Sequence, residues 1–167
     1  MPAGRIYLDT NVLIHALERE DDLAFALVDL MVAVDFDGQP LCVTSALAFS
    51  EALVRPAAEG NRPAIDLYTG CLRNGTTTLD IRPITADVLV TAAFLRGDRK
   101  GLKLPDAIHL ATGLATGCGS FLTSDRGLTG SFTWNASYGG TGMNDAVMII
   151  ARPSLDEIAQ LRKAAAE

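Results

Sequence analysis

Four acidic residues lie within or directly after strongly apolar stretches of the chain: Asp9, Glu51, Asp106 and Asp125. An ionised carboxylate in apolar surroundings is costly unless it is paired or bound to a cation. None of these apolar stretches contains a matching Lys or Arg. A bound divalent metal ion is the simplest compensation, and such an ion indicates phosphoryl chemistry.

The composition limits the class of protein that these acids can serve. The chain has 167 residues, a length typical of one domain, and its 49% hydrophobic content is that of a globular protein. The formal net charge of −6 argues against a protein that coats nucleic acid through bulk positive charge. It is compatible with an enzyme that holds nucleic acid locally and uses metal ions at the scissile phosphate.

Location and membrane contact can also be predicted from the sequence. We find no signal peptide and no apolar stretch long enough to span a bilayer, so no membrane association is expected. The three cysteines are far apart and form no Cys-x-x-Cys motif, which favours a reducing cytoplasm.

Elements that alternate between strand and helix must position the four acids. Strands are predicted at 5–9, 41–44, 77–81, 121–124 and 146–151, and helices at 11–20, 23–35, 46–58, 61–72, 86–95, 104–116 and 154–165. We expect Thr10 or Asn11 to cap the first helix, a charged loop at 97–101, and 117–119 to end the sixth helix. Strands separated by helices indicate an α/β fold with a mostly parallel sheet of four to five strands.

Two of the acids follow predicted strands, and two lie on predicted helices. Ligands of parallel sheets bind beyond the carboxyl ends of the strands. Asp9 and Asp125 occupy such ends, and Glu51 and Asp106 can reach the same crevice from their helices. The sequence does not determine the order of the strands.

Four short motifs carry a family resemblance. They are Leu8-Asp9-Thr10-Asn11, Ser50-Glu51-Ala52-Leu53, Leu104-Pro105-Asp106-Ala107-Ile108-His109 and Phe121-Leu122-Thr123-Ser124-Asp125. In this order and with these separations, the chain resembles the PIN-domain ribonucleases, and within them the VapC-type toxins of bacterial toxin–antitoxin pairs. The likeness covers roughly residues 5–129.

The resemblance has implications for fold, chemistry and partners. It implies a PIN-like three-layer α/β/α fold and a metal-dependent endoribonuclease in which Asp9, Glu51, Asp106 and Asp125 bind one or two Mg²⁺ or Mn²⁺ ions. It also implies a cognate antitoxin protein, an RNA substrate and a homodimer. We interpret 1–167 as a single PIN-like domain with a last strand and helix at 146–167. The Gly/Ser/Thr-rich stretch 130–145 departs from the family as an insertion, read as a loop or irregular hairpin. Its Trp134 and Tyr138 more plausibly hold this loop than stack on bases.

Polar residues beside the acids have two interpretations. Thr10, Asn11, Thr123 and Ser124 can support the acids or contact a phosphate, or they can simply cap local structure. Arg126 can hold a phosphate or be an ordinary loop residue. His109 lies one helical turn after Asp106, and we interpret it as a hydrogen-bonded structural histidine rather than a substrate contact.

The densest basic cluster of this acidic chain directly precedes Asp106. It consists of Arg96, Arg99, Lys100 and Lys103. The cluster can bind RNA phosphates beside the metal ions, or it can be a solvated loop.

Two other functions remain compatible with the sequence. One is a catalytically inactive RNA-binding or protein-interaction domain on the same fold. The other is a related metal-dependent nuclease that acts on DNA.

Overall fold

The computed structural model describes residues 4–35, 37–133 and 147–166. Its strands are β1 (Arg5–Leu8), β2 (Cys42–Ser45), β3 (Leu79–Arg82), β4 (Cys118–Leu122), β5 (Ser131–Thr133) and β6 (Val147–Ala151). Its helices are α1 (Thr10–Glu18), α2 (Asp22–Met31), α3 (Ala46–Ala52), α4 (Val54–Glu59), α5 (Arg62–Asn74), α6 (Ala86–Asp98), α7 (Leu104–Ala115) and α8 (Leu155–Ala166).

The strands form one sheet in the order β3-β2-β1-β4-β6-β5. All neighbouring pairs are parallel except β5 and β6, which are antiparallel. The predicted α/β fold is therefore confirmed. The predicted number of four to five strands was too low, because the described residues form six. The additional strand is β5, at the start of the stretch interpreted as a loop or irregular hairpin, and its antiparallel pairing with β6 agrees with a hairpin for residues 131–133. The rest of that stretch, 134–146 with Trp134 and Tyr138, lies outside the described residues.

Helices cover both faces of the sheet because successive strand residues point to opposite sides. Ile6 and Leu8 of β1 join a core with side chains of α1, α2, α3, α5 and α8. Tyr7 points the other way, into a second core formed with α6 and α7. This arrangement is the expected three-layer α/β/α architecture.

The carboxyl ends of β1 and β4 lie side by side at the centre of the sheet. Leu8 is paired with Leu122, so Asp9 and Thr123 follow directly after adjacent strand ends. Helix α3 begins immediately after the next strand, β2, and carries Glu51. Topology thus brings three of the four predicted motifs to one edge, and α7 supplies the fourth.

Several predicted boundaries differ from the structure. The predicted helix 46–58 is divided into α3 and α4 around Leu53, because Pro56 has no N–H to donate to the carbonyl of Ala52. Helix α6 continues through Asp98, so the first two residues of the predicted charged loop 97–101 are helical. Residues 118 and 119, predicted with Gly117 to end the helix, belong to β4. Thr116 and Gly117, the latter with a φ of +72°, make the turn between α7 and β4.

No helix among the described residues has the length and apolar character needed to cross a membrane.

Candidate active site

Asp9 is held at the start of α1 by three hydrogen bonds. Its Oδ1 accepts from the backbone N–H of Thr10 at 2.8 Å, and its Oδ2 accepts from Asn11 Nδ2 at 2.7 Å and from Thr123 Oγ1 at 2.6 Å. The helix cap is therefore Asp9, and the prediction of Thr10 or Asn11 as the cap was wrong. Asp9 is only 7% exposed, so these donors satisfy carboxylate oxygens that water reaches poorly.

Asp125 and Asp106 face the same region from a turn and from a helix. Asp125 Oδ1 accepts from the N–H of Gly127 at 2.7 Å, and the Asp125 N–H donates to Thr123 Oγ1 at 3.0 Å. Partial burial raises the pKa of the Asp106 carboxyl, and the negative charges of Asp125 and Asp9 raise it further. The three carboxylates therefore interact electrostatically in a shared environment.

Glu51 is linked to this group through Thr10 and His109. Its Oε2 accepts from Thr10 Oγ1 at 2.5 Å and lies 2.9 Å from His109 Nε2. The hydrogen bond from His109, followed by that from Thr10, lowers the pKa of the Glu51 carboxyl although partial burial opposes the shift. His109 is 1% exposed, which agrees with its interpretation as a structural histidine.

The site has the donor chemistry of a hard divalent cation. Carboxylate oxygens are preferred ligands of Mg²⁺ and Mn²⁺. Within the described residues, however, no three His, Cys, Asp or Glu side chains are arranged around a common point. The four acids fit a metal by type and by neighbourhood, and they remain proposed ligands.

The polar residues beside the acids take different roles. Thr10, Asn11 and Thr123 bond to acidic side chains directly, whereas Ser124 contributes through its backbone N–H, which donates to Asn11 Oδ1 at 2.8 Å. Arg126 is exposed in the turn after Asp125.

Arg152, which was not among the predicted site residues, organises the Asp125 turn. Its guanidinium donates to the carbonyls of Thr123 at 2.9 Å and Asp125 at 2.6 Å, and also to that of Leu128. The sequence feature that could have identified Arg152 is its position directly after the last apolar strand, at the same sheet edge as the acids.

The basic cluster divides into structural and accessible residues. Arg96 donates to the carbonyl of Leu102 at 3.1 Å. Arg99 donates to the Ser131 carbonyl at 2.6 Å, and its guanidinium carbon lies 3.8 Å from the ring centre of Phe132. Arg99 therefore holds the strand β5 region, and this engagement argues against its alternative reading as a free phosphate contact.

A cleft of about 290 Å³ lies between this cluster and two of the acids. Residues that line it include Arg99, Lys100, Lys103, Asp106, Asp125 and Phe132. The exposed Lys100 and Lys103 thus supply positive charge directly beside the carboxylates, where a nucleic-acid phosphate would need it.

Several solved structures share the fold. A toxin–antitoxin complex from Klebsiella pneumoniae matches at 24% identity over 72% of this chain and 86% of that chain, with a TM-score of 0.53. FitAcB from Neisseria gonorrhoeae matches at 21% identity over 73% and 88% of the two chains, also with a TM-score of 0.53. VapC20 of Mycobacterium tuberculosis, described as a Sarcin-Ricin loop cleaving toxin, matches at 20% identity over 70% and 86%, with a TM-score of 0.52.

At these identities the solved structures establish the fold alone. No curated protein matches the chain. The family model of the PIN domain matches residues 6–129, a span that includes all four acids and the strands that carry them to one edge. The chain therefore belongs to the PIN domain family, a family of nucleases.

Proposed function

We propose that this protein is a metal-dependent endoribonuclease and the toxin of a VapBC-type toxin–antitoxin pair. The observation that carries the proposal is the convergence of Asp9, Asp106 and Asp125: Asp9 and Asp125 follow adjacent parallel strands, and Asp106 and Asp125 line one cleft. Membership of a nuclease family gives this convergence a chemical purpose. The structural likeness to an RNA-cleaving toxin supports RNA as the substrate class.

The proposed ligands of one or two Mg²⁺ or Mn²⁺ ions are Asp9, Glu51, Asp106 and Asp125. A metal ion held by these side chains would supply an activated water and would neutralise charge that develops on the phosphate oxygens. Asn11 and Thr123 hold Asp9 in place by hydrogen bonds to its Oδ2.

The substrate would approach through the cleft beside the acids. Lys100 and Lys103 line this cleft, and we assign them to the RNA phosphates. Arg126, exposed in the turn after Asp125, is a further candidate contact.

The partner proposed is a cognate antitoxin, with a homodimer of this chain as the assembly. Exposed apolar side chains lie on α2 at Phe25 and Val28 and directly after its end at Val32, and exposed apolar faces typically mark protein contacts. Similar folds occur in a toxin–antitoxin complex and in VapBC2 from Rickettsia felis. We also propose that the protein acts in the cytoplasm and that residues 1–167 form a single domain.

The test is cleavage of RNA by the purified protein with Mg²⁺ or Mn²⁺, against EDTA and against Asp9→Asn. Asp29→Asn is the matched control, because it makes the same change on an exposed face of α2. We expect cleavage by the wild type and by the Asp29 variant only. Cleavage that persists both in EDTA and in the Asp9 variant would refute the mechanism.

Two substrates and one binding measurement separate the alternatives. Cleavage of single-stranded DNA but not RNA would identify a DNA nuclease. RNA binding without any metal binding would identify an inactive RNA-binding domain. A rise in melting temperature on addition of Mn²⁺ is expected if the ion binds the native state.

A further inference from the structure

We propose that Tyr7 and His109 act as positioning residues that orient the Glu51 carboxylate toward a divalent cation. The inference rests on the proposed function and deepens it, because it explains how the acid least evident from the sequence is aimed. Neither residue is accessible to substrate, since Tyr7 is 0% and His109 is 1% exposed.

The two residues form a continuous chain of hydrogen bonds from the core to the site. Tyr7 OH lies 2.8 Å from His109 Nδ1, and His109 Nε2 lies 2.9 Å from Glu51 Oε2. Ser45 Oγ lies 3.2 Å from the same Nδ1. The Tyr7 ring is itself fixed by stacking on Phe121, with ring centres 5.0 Å apart.

Tyr7 and Glu51, at the two ends of this chain of hydrogen bonds, determine which atom donates in each bond. A carboxylate only accepts hydrogen bonds, so His109 Nε2 is the donor across its 2.9 Å contact with Glu51. In the tautomer that carries its proton on Nε2, Nδ1 is an acceptor and needs a donor. The phenol O–H of Tyr7 lies 2.8 Å from Nδ1, nearer than the Ser45 hydroxyl at 3.2 Å, and is the donor that the geometry favours. Tyr7 therefore favours the tautomer that binds Glu51.

The chain also selects which oxygen of Glu51 remains for a metal. Within the described part of the protein, the hydrogen bonds from Thr10 and His109 both end on Oε2. Oε1 is the oxygen left to face a cation. Two donors on one oxygen restrict rotation of the carboxyl group, and a restricted ligand loses less entropy when it binds an ion.

Tyr7→Phe tests the inference with the smallest possible change. It removes one oxygen, and Tyr68→Phe is the matched control: Tyr68 is also 0% exposed and donates to Glu18 at 2.7 Å, outside the proposed site. The readout is the Mn²⁺ concentration that gives half of the maximal rise in melting temperature. We expect an increase of about 10-fold or more for Tyr7→Phe, as for other partners of metal ligands, and little change for Tyr68→Phe.

A second pair of variants replaces the histidine. Gln at position 109 can place an amide N–H near the position of Nε2 and keep the donor to Glu51, whereas the shorter Asn cannot. We expect His109→Gln to bind Mn²⁺ more tightly than His109→Asn, with RNA cleavage in the same order. Equal Mn²⁺ affinities for these two variants would overturn the positioning role, as would equal effects of Tyr7→Phe and Tyr68→Phe.

The tautomer can be measured without metal or substrate. Nitrogen chemical shifts of the imidazole should show the proton on Nε2 and none on Nδ1, and His15→Asn assigns the signals because the chain has two histidines. A proton on Nδ1 would overturn the chain as described. A wild type that shows the Nε2 tautomer but never responds to Mn²⁺ or Mg²⁺ would instead refute the metal-dependent function, and with it the purpose assigned to the chain.

Discussion

Replacement of Arg152 by Met should loosen the turn that carries Asp125. The arginine donates to the carbonyls of Thr123, Asp125 and Leu128, so one side chain joins three points of the turn. Methionine keeps much of the side-chain length but supplies no donor. The change therefore isolates the hydrogen bonds from the packing of the aliphatic stem.

The expected magnitude follows from the burial of the residues whose carbonyls lose their donor. Thr123 is 0% and Leu128 is 5% exposed, so water replaces the arginine poorly at both residues. A hydrogen bond to a charged group contributes about 1.5 kcal/mol or more, which predicts a loss of about 3 kcal/mol in the free energy of unfolding. For a domain of this size that loss lowers the melting temperature by about 6 to 12 °C.

Thermal and urea unfolding followed by circular dichroism measure the effect. Arg55→Met is the control: Arg55 pairs with Glu59 at 2.9 Å on an exposed helix face, and such pairs contribute less than about 1 kcal/mol. RNA cleavage by the Arg152 variant, assayed where it is still folded, should fall by about 10-fold or more because the turn no longer positions Asp125. A melting temperature within about 2 °C of the wild type would refute the reasoning.

Three further predictions concern the site charges. Asp106→Asn should raise the melting temperature in EDTA by about 1 to 2 °C, because the raised pKa of Asp106 means that its ionised form destabilises the fold at neutral pH. The rise in melting temperature that Mn²⁺ causes in the wild type should disappear in this variant. A lower melting temperature in EDTA would contradict the predicted sign. Ionised Glu51 should instead stabilise the fold, because its pKa is lowered. This stabilisation is present above the ordinary pKa of 4.5 and is lost as the pH falls, so urea unfolding of Glu51→Gln should show a destabilisation at pH 7 that shrinks near about pH 3. A pH-independent difference would contradict that prediction. Lys100→Ala should reduce the slope of log binding constant for RNA against log salt concentration by about 0.7. Arg99→Ala should mainly lower the free energy of unfolding, by about 1 kcal/mol. If salt titrations and urea unfolding do not distinguish the two variants, the proposed division of the basic cluster is contradicted.

The fold class was predictable because its signals are local. Short apolar strands alternate with longer helical segments, and that alternation requires crossover connections and parallel pairing. Asp9 and Asp125 follow the strands in the sequence, so their location at the carboxyl edge required only the strand assignment. The helix boundary at Leu53 was missed because a Pro in the first turn of one helix was treated as part of a longer one.

The functions of individual basic residues were not predictable from their spacing. Arg99 and Lys100 are adjacent in the sequence and both line the cleft, but the Arg99 guanidinium also binds the Ser131 carbonyl and the Phe132 ring. This difference depends on where β5 lies, and β5 is held by its pairing with β6 rather than by its own three residues.

The sequence by itself determined the alternating architecture, the family and the four acids as candidate site residues, because short stretches of contiguous residues are enough to identify each of these. Only the tertiary structure decided how the acids are held. Asp9 bonds to Thr123, Glu51 to His109, and the Asp125 turn to Arg152, and all of these partners are far apart along the chain. A hydrogen bond requires its atoms to lie about 3 Å apart, and that distance is set by strand register and helix packing rather than by any local pattern.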